Sequence, residues 1–203
     1  MFVLPEGLPF ELTPFAFLLG TWEGTGVISY KYRVDDADEP LKYEFNQKVT
    51  FAHDGTNYLT YQSTAKLLGD DEAVLPSELG YWRIARPFAV SDHGPGLLPG
   101  VGVSAIQSHD DLEDYRNKDG GFDIEASIIH PSGISEHYLG HVKQGRIDLA
   151  TGVGSSRPVN SPEYSGATRM YGLVDGALLW AWDIAALGNP LTSHASARLE
   201  RTA

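Results

Sequence analysis

The sequence predicts an all-β protein, and more specifically a single antiparallel up-and-down β-barrel rather than a β-sandwich. Short segments in which apolar and polar residues alternate recur at near-regular spacing, and no long helical pattern interrupts them. Turn dipeptides typical of hairpins separate several of these segments. The glycine- and tryptophan-containing entry to the first segment, together with the absence of cysteines, favours the barrel.

The entry to the first predicted strand, residues 20–26 (GTWEGTG), is the most informative short segment. Its residues Gly20, Gly24 and Gly26 remove Cβ atoms where a first strand bends or is approached closely by another backbone. Trp22 supplies a large apolar side chain for the closed end of a small barrel. The apolar run 15–19 before it is predicted to form a short helical cap on that end.

The later strands follow from period-2 alternation. Asp54-Gly55, Gln144-Gly145 and Asp175-Gly176 are predicted hairpin turns. The alternation of Leu178 to Ile184 places both of its tryptophans on the inner face. The predicted strands are 43–51, 59–65, 80–84, 122–126, 134–141, 147–151, 169–174, 178–184 and a final segment at 195–201.

We expect residues 1–203 to form one domain with one long interruption. Residues 91–121 are rich in glycine and proline and carry an acidic cluster that is typical of a solvated loop. A loop of this length indicates either a lid over a binding site or a poorly ordered excursion. A second irregular stretch spans residues 152–166.

The composition limits the classes of binding partner and of chemistry that are possible. The formal net charge of -12 disfavours an electrostatic grip on nucleic acid or on an anionic membrane, so a small molecule is the expected partner. Because the chain has no cysteine, disulfides, thiolate nucleophiles and iron–sulfur clusters are excluded. No segment approaches the roughly 20 apolar residues of a membrane span, and no signal sequence is evident, so we expect a cytoplasmic protein.

Seven histidines are the candidate metal ligands. His137 and His141 are four apart in a predicted strand, which puts them about 13 Å from each other and prevents them from sharing one metal. His194 opens the final segment after a turn; on these features alone it is either a structural residue or a ligand. The others lie at predicted turns or in the long loop: His53, His93, His109 and His130.

Several segments taken together resemble the nitrobindin family, the fatty-acid-binding-protein-like heme β-barrels. The stretch 20–26 fits the GxWxGxG motif of that family at every fixed position. The resemblance covers most of the chain except the first dozen residues and the interruption at 91–121. It also rests on residues 51–61, 78–83 (ELGYWR), 130–136 (HPSGISE), 169–172 (RMYG) and 188–199 (GNPLTSHASARL).

The resemblance implies a ten-stranded barrel that holds one heme b per chain, with His194 as the proximal ligand of the iron. It further implies that the ferric heme binds nitric oxide and isomerises peroxynitrite to nitrate. We expect a monomer or a weak homodimer.

Two departures from the family pattern bear on heme affinity. Pro162 stands where family members usually carry a lysine near the heme propionates, although Arg157 is nearby. Ala195 follows the histidine where family members commonly have leucine. Because burying one leucine side chain contributes about 1.5 to 3 kcal/mol, we expect this difference to weaken heme binding by one or two powers of ten.

Two other functions are compatible with the same fold. The first is a heme-independent carrier of fatty acids or other apolar ligands, in which Arg83, Arg169 or Tyr171 would bind a carboxylate if their side chains point inward. The second is a structural or partner-binding barrel that acts through the interruption at 91–121. A cavity at His194 with apolar walls and no internal arginine favours heme, whereas an interior filled by tryptophans argues against both ligand-binding functions.

Overall fold

The computed structural model describes residues 6–31, 39–69 and 73–202, and its ten strands form one closed antiparallel barrel. The predicted barrel is therefore confirmed. A 3-10 helix, Phe10–Leu18, precedes the barrel, and we call it the cap helix. The strands are β1 (Gly20–Tyr30), β2 (Leu41–Ala52), β3 (Leu59–Leu67), β4 (Val74–Ile84), β5 (Phe122–Ile129), β6 (Ser135–Lys143), β7 (Arg146–Thr151), β8 (Tyr164–Val174), β9 (Ala177–Ala186) and β10 (Thr192–Arg201).

Each strand pairs with its neighbours in sequence, and β1 closes the barrel against β10. The glycines of the entry segment allow this closure. A Cβ added at Gly24 would stand 2.2 Å from the carbonyl oxygen of Arg198, and one at Gly26 would stand 2.4 Å from that of Ser196. Only a residue without a Cβ allows the two backbones to approach this closely, as the sequence predicted.

The cap helix closes one end of the barrel, which we call the cap end. Leu12, Phe15 and Leu18 of the helix are completely buried against the core. Trp22 sits beneath them and donates its indole N–H to the carbonyl oxygen of Leu18 at 2.7 Å. The guanidinium of Arg201 lies 4.3 Å from the centre of the Trp22 ring. The predicted apolar plug and helical cap are both present.

The interruption at 91–121 also lies at the cap end, because it joins the end of β4 to the start of β5. It contains a short helix, α1 (His109–Glu113), and buries Ile106 and Leu112 in the core. The imidazole of His109 packs edge-on against the ring of Phe10 in the cap helix. Residues 106–113 are therefore packed against the closed end, on the side of the barrel away from His194, whereas residues 93–105 are mostly exposed and irregular. The acidic side chains of Asp110, Glu113 and Asp114 are exposed, as expected for a solvated cluster.

An ion cluster ties this segment to the cap helix. The guanidinium of Arg86 donates to Glu11 at 2.6 Å and to both carboxylate oxygens of Asp92 at 2.6 and 2.8 Å. The backbone N–H of Ala89 and the side-chain amide of Asn57 also donate to Asp92. Hydrogen bonds from Arg86 hold the pKa of Asp92 below its usual value.

His194 lies at the opposite end of the barrel, which we call the His194 end. Among the described residues, no helix is long and apolar enough to cross a membrane. The inner face of β9 is as predicted: Leu178 and Trp180 are buried, whereas Trp182 and Ile184 are only partly buried as the strand reaches the His194 end. A rim of partly buried apolar residues surrounds this end: Ile28, Ala65, Leu67, Leu75, Tyr164 and Ile184.

Candidate functional site

His194 sits at a β-bulge at the start of β10, where the register with β9 shifts between Ser193 and Ala195. Its Nδ1 lies 3.2 Å from the carbonyl oxygen of Ser29. Because a carbonyl can only accept, Nδ1 carries the hydrogen and Nε2 keeps its lone pair. Burial lowers the pKa of His194, which favours the neutral ring. The imidazole is thus held in the tautomer that binds a metal through Nε2.

Trp182 links His194 to the interior of the barrel. Its ring meets the imidazole of His194 edge-on, with centroids 5.1 Å apart and an interplanar angle of 81°. The imidazole of His130 stacks almost parallel to the same indole, at 5.7 Å and 10°. The guanidinium carbon of Arg169 lies 4.1 Å from the indole centroid. Three side chains therefore fix the position of Trp182.

Arg169 is the centre of a buried polar cluster beneath the His194 end. Its guanidinium makes a two-pronged ion pair with Glu78, with one donor–acceptor distance of 3.0 Å, and a further hydrogen bond of 3.3 Å to Glu136. Its Nε donates to the hydroxyl of Tyr138 at 2.9 Å. The Arg169 side chain is 1% exposed. Bidentate pairs of this kind are among the strongest hydrogen bonds in proteins.

Glu136 is completely buried and accepts from four side chains. One oxygen accepts from the hydroxyls of Tyr138, at 2.7 Å, and of Tyr164. The other oxygen lies 2.8 Å from Nε2 of His130 and also accepts from Arg169. This network satisfies a carboxylate that would otherwise be costly to bury.

Glu78 is held ionised by its neighbours. Burial by itself raises the pKa of Glu78, but the charge of Arg169 and the hydrogen bonds that it donates outweigh burial, and the pKa falls to about 2. Tyr61 donates to the same carboxylate at 2.6 Å. Burial and the charge of Glu78 raise the pKa of Tyr61 well above its usual value, so Tyr61 remains a hydrogen-bond donor.

A metal ion does not fit this cluster, although its donor atoms are close together. Oxygen or nitrogen atoms of Glu78, His130 and Glu136 lie within 4.8 Å of one another. However, Arg169 already binds both carboxylates and supplies the compensating positive charge. A second cation here would be repelled and would have to displace three charge-assisted hydrogen bonds.

The structure also tests the residues proposed for a carrier. Arg83 is on the outer face, half-exposed and paired with Glu125 at 2.8 Å, so it does not meet the condition of pointing inward. Arg169 and Tyr171 do point inward, but Arg169 is already bound to two carboxylates of the protein. An external carboxylate would have to compete with Glu78 for the same guanidinium.

The interior meets some of the sequence-based criteria and fails others. Trp22, Trp82 and Trp180 fill the barrel below the polar cluster, and an internal arginine is present. Two surface clefts lie on the outer face of β6 to β9, away from His194. The filled interior and the internal arginine therefore count against a ligand deep in the barrel, and a ligand of His194 would have to lie against the half-buried apolar rim at that end.

Of the remaining predicted residues, the glycine and tryptophan motif lies far from His194, whereas the others lie on the outer face or at the His194 end. Gly20, Trp22, Gly24 and Gly26 belong to the cap end and to the β1–β10 seam. Ala195 is buried next to the histidine, whereas Pro162 and Arg157 are exposed in the segment between β7 and β8. His137 and His141 lie outside the inner face and contact different partners, Ser127 and Asp148 respectively.

Sequence reasoning missed the cluster around Arg169. His130 was interpreted as a turn residue, and Glu78 and Glu136 were not assigned a role. One signal was available, because both acids share strand parity with buried residues, Glu78 with Trp82 and Glu136 with Tyr138. Two inward acids and one inward arginine predict a buried ion cluster.

The closed ten-stranded barrel with a metal-competent histidine at one end is the architecture of a heme-binding β-barrel. Residues 11–201 match the model of the THAP4-like, heme-binding β-barrel domain. The chain belongs to this family, which confirms the resemblance identified from the sequence.

Relatives of this protein match over almost the whole chain, two of them as follows. A protein of Leifsonia xyli subsp. xyli named peroxynitrite isomerase is 50% identical over 201 residues, which cover 99% of both chains. A protein of the same name from Clavibacter michiganensis subsp. michiganensis is 49% identical, with 98% of both chains covered. Among solved structures, Rv2717c from M. tuberculosis superposes with a TM-score of 0.67 at 25% identity, covering 99% of this chain and 100% of that one.

The donor set at His194 fits heme. A single imidazole with its Nδ1 hydrogen committed to a backbone carbonyl is the usual arrangement of a metal-bound histidine, in which the second interaction fixes the tautomer and the ring orientation. The apolar rim around the same end suits the faces of a porphyrin.

Proposed function

We propose that this chain binds one ferric heme b through Nε2 of His194, isomerises peroxynitrite to nitrate, and binds nitric oxide at the same site. The observation that carries the proposal is the Ser29–His194 hydrogen bond, which leaves Nε2 free at an apolar end of the barrel. Membership of the heme-binding family and the names of the two relatives support it.

When bound through His194, a ferric heme would supply a Lewis acid that acts on small nitrogen oxides. The conversion of peroxynitrite to nitrate rearranges the atoms of one molecule, so it needs no second substrate. This suits a chain with no cysteine to act as a redox partner.

The protein's own residues have three tasks in this reaction. The carbonyl of Ser29 holds the proton of His194 on Nδ1 and keeps Nε2 available. Trp182 packs edge-on against the imidazole and restricts its rotation, while Arg169 and His130 hold Trp182 in turn. The rim residues keep water away from the reacting ligand.

The carrier function is less well supported. Its carboxylate-binding arginine is already neutralised by Glu78 and Glu136, whose carboxylates occupy the donors that a fatty acid would need. We also expect the protein to act in the cytoplasm, as a monomer or a weak homodimer.

Titration with hemin, followed at the Soret band, tests the proposal. We expect saturable one-to-one binding that is lost in His194→Ala and retained in His141→Ala, a matched control on the exposed outer face. In stopped-flow experiments, the heme-loaded protein should then accelerate the formation of nitrate from peroxynitrite. Absence of saturable binding by the wild type, or equal binding by His194→Ala, would refute the assignment.

A further inference from the structure

Trp182 carries an unexplained buried donor. Its indole Nε1 is inaccessible to solvent and has no hydrogen-bond partner among the described residues. An unpaired buried donor costs about 1–3 kcal/mol, so native structures rarely keep one without a reason. Trp22 and Trp180 show the usual situation, because their indole N–H groups donate to Leu18 and Gln47.

The position of this donor singles it out from the other unpaired groups. Trp82 Nε1 and one oxygen of Glu11 are also unpaired, but Trp82 is completely buried within the aromatic core and Glu11 is in the cap helix. Of these three residues, only Trp182 contacts His194, which is the proposed ligand of the heme iron. It is also the only one of them that belongs to the partly buried set.

Its surroundings make the Trp182 N–H a fixed and strong donor. The stacked imidazole of His130 and the guanidinium of Arg169 hold the ring in place, so little entropy is lost when the N–H finds an acceptor. A positive charge 4.1 Å from the ring centroid draws electron density from the indole, which strengthens its N–H as a donor. Such an arrangement suits an oxygen acceptor that arrives with a ligand.

We propose that the indole N–H of Trp182 donates a hydrogen bond to an oxygen atom of the ligand held at His194, and so helps to determine which ligand binds. The inference rests on the proposed heme function. The acceptor with the required chemistry is a carboxylate of the porphyrin, because Trp182 packs on the side of His194. Trp182 is thus a specificity-determining residue rather than a filler of the barrel.

The test compares Trp182→Phe with Trp180→Phe. Both variants keep an aromatic ring and lose an indole N–H, but Trp180 donates within the protein, to Gln47. We expect Trp180→Phe to bind hemin as the wild type does. We expect Trp182→Phe to bind hemin about tenfold more weakly or worse, and this difference to disappear with hemin dimethyl ester.

A measurement on the wild type tests the proposal even if the Trp182→Phe variant fails to fold. The Trp182 indole ¹⁵N–¹H resonance is followed with zinc protoporphyrin and with its dimethyl ester. A downfield shift specific to the carboxylate form supports the proposal. Equal hemin affinities of Trp182→Phe and the wild type, together with no specific shift, overturn it. Failure of the wild type to bind any hemin overturns the heme function itself, and this inference with it.

Discussion

The two ends of the barrel contain similar arrangements of side chains but differ in which polar groups are paired. Each has a tryptophan with a guanidinium over its face, Arg201 at 4.3 Å from Trp22 and Arg169 at 4.1 Å from Trp182. Each also has a buried arginine bound to two carboxylates.

The difference lies in what is left unpaired. At the cap end, the indole N–H of Trp22 is bonded to the cap helix, and the helix covers the core. At the His194 end, the N–H of Trp182 has no partner among the described residues, and the surrounding apolar side chains are only partly buried. The cap end is complete as folded, whereas the His194 end has the features of a surface that a ligand completes.

Removing the central arginine of each cluster should have the largest effect. Arg169→Met leaves Glu78 and Glu136 without their cation in the barrel interior, and we expect it to lower the free energy of unfolding by about 3–5 kcal/mol. Arg86→Met should cost less, because Asp92 still accepts from Ala89 and Asn57. Urea unfolding of the two apoproteins measures both values.

A second variant separates loss of charge balance from loss of packing. Arg169→Met combined with Glu78→Gln and Glu136→Gln removes the unpaired charges, so it should be more stable than Arg169→Met alone. If Arg86→Met proves the more damaging change, or if the combined variant gains nothing, the buried cluster is not the main stabilising feature of the His194 end.

Acid should destabilise the His194 end through Glu78. The pKa of Glu78 in the folded protein is about 2, below the usual 4.5, so its stabilisation is complete above pH 4.5 and is lost as the pH falls toward 2. The difference between these two pKa values corresponds to about 3 kcal/mol of unfolding free energy. Glu78→Gln should therefore flatten the dependence of unfolding free energy on pH between 4.5 and 2.

Asp92→Asn supplies the corresponding measurement at the cap end. Hydrogen bonds from Arg86 lower the pKa of Asp92, so this variant should also flatten the acid side of the curve. An unchanged acid slope in Glu78→Gln would show that Arg169 does not hold that carboxylate ionised.

The smallest expected effect compares the two cation-covered tryptophans directly. Trp22→Phe breaks a hydrogen bond to Leu18, whereas Trp182→Phe removes a donor that has no described partner in the apoprotein. We expect Trp22→Phe to cost about 1 kcal/mol more in unfolding free energy than Trp182→Phe. Chemical denaturation of the apoproteins measures the difference, and equal costs would mean that the Trp182 N–H is already satisfied.

The sequence was sufficient for the architecture because local rules specify it. Alternation of apolar residues decides which face of each strand is buried, and turn dipeptides such as Asp175-Gly176 join consecutive strands into a meander. β1 approaches β10 closely because Gly24 and Gly26 have no Cβ, and the sequence alone indicated such a close approach. His194 was also selected from the sequence, through its segment's resemblance to the family.

Only the tertiary structure decided how charges and donors pair in the interior. Glu78, Glu136 and Arg169 lie on three different strands, and nothing local to any of them states that they meet. His130 follows a strand as a turn residue, yet barrel closure brings it onto Trp182. The placement of 91–121 at the cap end likewise depends on its packing against the cap helix.

The physical reason is the range of the interactions. Burial patterns and turn preferences act between residues a few positions apart, so the sequence by itself determined an all-β barrel with a candidate ligand at His194. Hydrogen bonds and ion pairs across the barrel depend on distances that exist only once the sheet has closed. The tertiary structure therefore decided that Arg169 is occupied by Glu78 and Glu136, and that Trp182 presents its unpaired N–H beside His194.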